Sequence, residues 1–424
     1  MGDAGRTSDA SGTTDGEQPD GGADGGEQLI EFSTCAASAS PPTSSSIKLA
    51  AGAPVDLGLS TSAVLETLVV ADLNHDGTPD LVGSTIPSGS PPWTGAIHAA
   101  LGNRDGTFAA PITPWAGDRI GTLVAADVTG VDSQDLIVAE DDRHISAHSW
   151  YALVLQNDGN NSYQTGTAYA EQTSVLANLG TGDFNNDGLV DLWLVGDGVR
   201  VRLNSTAGFG ADQIARATVP AAVAVGHFDN DTNLDIAYVD LGDPMVGTRG
   251  AVGVLYGRGD GTMRAGASGP LNNYGNYALV VGDFDGDGID DIATLVGDAN
   301  AVQRLEIFSF YRRCSGAQPP EIVQETVLGT VRPMQLAAGD VDGDGILDVV
   351  VAVDATVMIF RGRGDATFFD PVVVTYGGGA IYGPQNLILT DINNDGRPDL
   401  VVDSMPNQSG ASNVITVLLN MSTP

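Results

Sequence analysis

Lysine is almost missing from this 424-residue chain: Lys48 stands alone beside 17 arginines. Against 54 acidic side chains, that leaves a formal charge of −36. A surface so poor in cations cannot neutralise a row of phosphates, so nucleic acid and anionic membrane are both disfavoured as partners. Two cysteines, Cys35 and Cys314, are too few for a disulfide scaffold or a four-ligand zinc site. They either pair in an exported protein or stand as free thiols. No run approaches the roughly 20 apolar residues of a membrane span. Catalytic signatures are also missing. There is no G-x-S-x-G elbow, no H-E-x-x-H, no Walker loop and no G-x-G-x-x-G in a strand–helix setting, so no enzyme is expected. The start of the chain has no basic segment followed by an apolar one, so it either follows a removed export signal or belongs to the cytosol.

What the chain does have is glycine, 56 residues of it, together with 21 prolines and a 42% hydrophobic share. That mixture suits short strands and tight turns rather than long helices. Residues 1–46, rich in Gly, Ser and acid and poor in apolar side chains, read as a flexible linker that cannot offset its own ordering entropy.

From residue 47 onward the chain repeats itself. The pattern D-x-[DN]-x-D-G-x-x-D, flanked by apolar runs, occurs intact at Asp72–Asp80, Asp183–Asp191, Asp283–Asp291, Asp340–Asp348 and Asp391–Asp399. Two further copies are degraded. Asp127–Asp135 lacks the fifth-position acid and the glycine, and His227–Asp235 has His first and Thr232 in place of glycine. Seven units spaced by 44 to 57 residues predict an all-β fold, a seven-bladed β-propeller of four-stranded blades over 47–424. The last unit stops after its third strand, Val414–Leu419, and residues 47–57 read as the missing fourth strand that closes the ring.

Several carboxylates within nine residues repel each other unless something pairs with them, and no basic residue recurs in register to do so. A hard divalent cation with oxygen ligands resolves the conflict, and calcium fits a flexible carboxylate cage better than magnesium. Positions 1, 3, 5 and 9 offer side chains and position 7 a carbonyl, which predicts about five calcium sites. Their ligands are Asp72, Asn74, Asp76, Thr78 and Asp80; Asp183, Asn185, Asp187, Leu189 and Asp191; Asp283, Asp285, Asp287, Ile289 and Asp291; Asp340, Asp342, Asp344, Ile346 and Asp348; and Asp391, Asn393, Asp395, Arg397 and Asp399. Asp229, Asp231 and Asp235 form a weaker set in the fourth unit, and the second unit is expected to hold no metal. The metal-free alternative is an Asx-rich turn.

Runs such as Val69–Val82 and Val281–Ile292 make the repeat similar to the FG-GAP/VCBS family, whose best-known members are the heads of integrin α-subunits. The resemblance covers about residues 47–424. It implies a seven-bladed propeller with calcium in the loop between the first and second strands of a blade. It also implies partner-binding loops on the opposite face, in proteins that include adhesion modules and lectins.

The residues proposed for that opposite face and for the links between blades are Trp93, Trp115, His144, His148, Trp150, Arg249, Tyr274, Tyr277 and Tyr382. Loop aromatics suit contacts with protein or carbohydrate, though they serve equally as wedges between blades. The expected function is a calcium-stabilised, extracellular, periplasmic or cell-surface adhesion module. A lectin, or an enzyme acting on polysaccharide, are the alternatives. Two Arg-Gly-Asp triplets, at Arg258 and Arg363, fall where a hairpin needs Gly and Asp in any case. Five Asn-x-Ser/Thr sequons, starting at Asn160, Asn204, Asn230, Asn407 and Asn420, matter only if the host glycosylates.

Overall fold

The computed structural model describes residues 47–422 except 60–62, 88–94, 118, 131–132, 143–148, 160–161, 172–175, 177, 217, 241–249, 272–277, 298–301, 311–319, 331–332, 377–384 and 405–413. The expected linker, both cysteines, Trp93, His144, His148, Arg249, Tyr274, Tyr277 and Tyr382 lie outside the described residues.

Every regular element among the described residues is a strand, and the strands form seven four-stranded antiparallel sheets. In six of them the strands lie in chain order, as in Ala222–Gly226, Asp235–Asp240, Ala251–Gly257 and Met263–Pro270. Second and third strands carry the apolar runs that fill the gaps between blades, with polar residues mostly at their ends, as in Asp135–Asp142. Asp291–Gly297 is buried at every position, as it must be when both faces of a sheet are covered by neighbours. First strands of successive blades pack side by side and so face the centre.

The core consists of seven separate clusters, one in each gap between blades. Phe228, Val252, Val254 and Tyr256 of the fourth blade meet Ile292, Val296, Phe308 and Phe310 of the fifth. Leu57, Leu65 and Leu81 of the first meet Val401, Ile415 and Val417 of the seventh, so the ring is closed.

Closure follows the sequence expectation. Leu49–Ala51 pairs antiparallel with Val414–Asn420, in the register Leu49↔Asn420, Ala50↔Leu419 and Ala51↔Leu418. The contact continues through Gly52 N–H to the Val417 carbonyl (2.9 Å) and Val55 N–H to the Ile415 carbonyl (2.8 Å). Without this pairing the outer edge of the last blade would carry unsatisfied backbone groups.

Neighbouring blades are also stitched by polar contacts at one end of the sheets. The carbonyl of the second loop residue accepts a bond from the following blade. Asn157, Asn204 and Asn420 side chains donate to Leu73 (2.8 Å), Val128 (2.9 Å) and Val341 (2.7 Å). Elsewhere a hairpin amide takes the same role, Gly261 to Phe184 (3.1 Å) and Ala366 to Phe284 (3.0 Å). Asn204 and Asn420 are therefore buried clamps, and glycosylation at either would require the clamp to open.

Candidate metal centres

Each acidic loop joins the first strand of its blade to the second, and its shape is set by local hydrogen bonds. In the first unit Asp72 Oδ1 accepts from Asp76 N–H (3.1 Å) and Asp72 Oδ2 from Gly77 N–H (2.8 Å). Asn74 Oδ1 accepts from Asp76 N–H (3.1 Å), and Asp76 Oδ1 from Thr78 N–H (2.8 Å). The third, fifth and seventh units repeat this network, with Asp183, Asp283 and Asp391 in the role of Asp72. In the sixth, Asp340 again accepts from the fifth and sixth amides. Successive carboxyl groups are thus curled toward one point by the backbone they cap.

The curl needs two left-handed residues in each intact loop. The glycine at position 6 is one, with φ of 76° at Gly77 and 85° at Gly345. Position 4 is the other: His75 (60°), Asn186 (57°), Gly286 (75°), Gly343 (78°) and Asn394 (58°). Glycine and asparagine reach this region at little cost, which explains why position 4 varies only among His, Asn and Gly. Sequence reading caught the glycine and passed over its partner.

Carboxylate oxygens of Asp283, Asp285 and Asp287 lie within 4.8 Å of one another, as do those of Asp340, Asp342 and Asp348. All are hard oxygen donors, and burial pushes Asp285 upward, with Asp287 and Asp283 adding to the shift. Oxygen cages of this size and charge suit calcium, so the residues present fit the ion in these loops. Units one, three and seven have Asn in the third position, and its amide donates to the fifth-position carboxylate, for example Asn74 to Asp76 (2.9 Å).

Position 9 has a second duty. The seven aspartates there, Asp80, Asp135, Asp191, Asp235, Asp291, Asp348 and Asp399, are all buried. In every unit one oxygen accepts from the amide of loop residue 2, as Asp80 does from Leu73 (2.8 Å) and Asp235 from Phe228 (2.8 Å). The other oxygen accepts from the amide just beyond or ending the third strand: Gly102, Asn157, Asn204, Gly257, Phe310, Gly362 and Asn420. This carboxylate latches the loop to the third strand, which accounts for its presence in the degraded units too. Burial raises this carboxylate in the first, fourth, fifth and sixth units. It lifts Asp80 and Asp235 to about 6, Asp348 to about 7 and Asp291 to about 8, against backbone donors that pull the other way.

In the second unit a hydroxyl occupies the place of a ligand. Thr129 Oγ1 donates to Asp135 Oδ2 (2.9 Å), which also accepts two backbone amides. Both Arg-Gly-Asp triplets are turns: Asp260 and Asp365 each accept from the amide and hydroxyl of the threonine two residues on, as Asp105 does from Thr107.

Two of the aromatic candidates are spent on packing. Trp150 is 8% exposed and sits with Leu176, Leu179 and Leu192 between the second and third blades. Trp115 packs against the core between the first and second. Trp193 lies in the core between the third and fourth blades.

Residues 332–402 match the FG-GAP-like repeat family. No curated protein matches the chain. Among solved structures, the fold is similar to an Agrocybe aegerita lectin that recognises non-reducing terminal N-acetylglucosamine. The TM-score is 0.51 at 17% identity, over 76% of this chain and 83% of that one. It is similar also to BBS1N as seen in complex with ARL6DN, with a TM-score of 0.55 at 11% identity over 88% and 96% of the two chains. With that family matched over residues 332–402 and seven blades built on the recurring loop pattern, the chain is a seven-bladed β-propeller that carries an FG-GAP-like repeat.

Proposed function

We propose that this propeller is a calcium-stabilised binding module, working outside the cell or at its surface, that recognises a macromolecular partner. The observation that carries this reading is the recurrence, in five of seven loops, of one oxygen cage with the same two left-handed residues. Calcium, when bound, would supply positive charge to these carboxylates, of which Asp342 in the sixth loop also lies near an arginine, Arg361 at 3.6 Å. The side chains at positions 1, 3, 5 and 9 and the carbonyl at position 7 would hold it. Millimolar calcium outside cells fills even weak sites of this kind, which supports the extracellular assignment. No helix among the described residues is long and apolar enough to cross a membrane.

The metal loops and the 3–4 hairpins occupy one end of the blades, since the ninth-position aspartates bind both. The second and third strands connect at the other end, beyond Pro87 and Asp142 in the first two blades. We assign the partner to that end. A carbohydrate ligand is the second reading, favoured by the sugar recognition of the Agrocybe lectin that shares the fold.

The test is binding of the whole chain to an array of glycans and matrix proteins in millimolar calcium. Protein hits lost on chelation support the module. Discrete glycan hits that vanish in Trp93→Ala, with folding intact, would move the assignment to a lectin. Binding to neither class would contradict both.

A further inference from the structure

The fourth loop departs from the others at several positions, and the departures compensate one another. His227 replaces the first aspartate, so the amides of positions 5 and 6 lose that carboxylate as an acceptor, the position-5 amide keeping Asp229. Thr232 replaces the glycine, and neither Asn230 nor Thr232 adopts the left-handed conformation of the intact loops. The remaining Asx turns persist, with Asp229 Oδ1 accepting from Asp231 N–H (2.9 Å) and Asp231 Oδ1 from Asn233 N–H (2.8 Å).

The free side of Asp229 is taken by a cation from within the chain. Arg264 Nη2 donates to Asp229 Oδ2 at 2.8 Å. Arg264 is the second residue of the fourth strand and pairs across the sheet with Tyr256, and its guanidinium lies 4.3 Å from that ring's centroid. The corresponding residues after the hairpins of the first, second and sixth units are Ala109, Gln164 and Phe369, and the arginine near the sixth loop's third position, Arg361 at 3.6 Å from Asp342, comes from just past the end of the third strand instead. His227 is fixed as well. Its N–H donates to Asp290 Oδ2 (2.7 Å), and the Asp290 N–H donates back to its carbonyl (2.8 Å), tying the fourth loop to the fifth.

A cation ligated here would have to displace the guanidinium from Asp229 and do without a first-position carboxylate. The residues present therefore do not fit the metal, in contrast to the weaker set expected from Asp229, Asp231 and Asp235. We infer that Arg264 is the resident counter-charge of the fourth loop, making this acidic lock independent of metal. The assignment goes beyond the calcium reading and stands whether or not the five intact loops bind the ion. Its consequence is a ring whose blades respond unequally to calcium withdrawal, with the fourth lock intact when the five intact loops lose their ion.

Two measurements on the full chain test it. Arg264→Gln should lower the melting temperature by about 1–3 °C, equally in millimolar calcium and in chelator, with partial recovery in Arg264→Lys. Equilibrium dialysis with calcium should show Asp229→Asn unchanged in bound metal, whereas Asp285→Ala with Asp287→Ala loses one ion. The combined variant His227→Asp, Thr232→Gly, Arg264→Ala should gain one. An Asp229→Asn variant that loses an ion, or an Arg264→Gln effect confined to calcium or missing from both conditions, would overturn the assignment. If no variant and no wild type binds calcium, the reading of the intact loops fails, while a calcium-independent Arg264→Gln effect still supports the internal ion pair.

Discussion

At the scale of single residues, the acids of this chain do three different jobs. The loop acids at positions 1, 3 and 5 shape a cage, those at position 9 form a latch, and Glu306 does neither. Glu306 lies on a third strand, fully buried, with both carboxylate oxygens unpartnered among the described residues. Burial lifts it to about 7, helped by Glu325 and opposed by Arg304. An acid whose folded value is raised stabilises the fold below its unfolded value near 4.5, and that contribution is lost as pH climbs toward 7. Glu306→Gln should therefore raise the melting temperature at pH 8 and change it little at pH 5, as differential scanning calorimetry would show. The latch predicts the opposite kind of variant. Asp135 belongs to a loop expected to hold no metal, yet it accepts three backbone amides and a threonine hydroxyl. Asp135→Asn replaces an acceptor oxygen with a donor against those amides and should cost about 2 kcal/mol or more, with or without calcium, in denaturant titration.

At the scale of elements, the three-residue strand Leu49–Ala51 closes a ring of seven sheets. Deleting residues 47–57 should lower the melting temperature and promote association through the uncovered edge of Val414–Asn420, seen by circular dichroism and size-exclusion chromatography. Unchanged melting and a monomeric profile would contradict the closure. Strands and closure were legible beforehand because short apolar runs recur at fixed distances from each acidic loop. The glycine at position 6 was legible for the same reason. The partner residue at position 4 was not, since His, Asn and Gly share no side-chain chemistry, only tolerance of positive φ. Arg264 was equally hidden, lying 35 residues along the chain from the aspartate it binds. Trp115 and Trp150 looked like loop aromatics because their strand edges carry little periodicity, and the structure places both in packing. Two of the asparagine clamps, Asn204 and Asn420, were legible only as sequons, because the carbonyls they meet belong to another blade.

At the scale of the whole molecule, part of the net charge of −36 is carried by the acidic loops that join the first and second strands of the blades. About a third of the acids stand in the five intact loops, where like charges gather unless a cation joins them. Protons and calcium compete for the same carboxylates, so each ion bound should release protons where Asp80, Asp348 and Asp291 are held at about 6, 7 and 8. Chelated protein should lose stability as pH rises from 5 to 8, because these groups are raised in the fold and the unfolded chain gives up its protons near 3.8. Calcium should restore most stability at the upper end of that range. Thermal melting at pH 5 and pH 8, each with chelator and with millimolar calcium, tests the central claim most directly. The account predicts a calcium-induced rise in melting temperature that is large at pH 8 and small at pH 5, accompanied by about five bound ions per chain. Identical melting with and without calcium at pH 8 would contradict it.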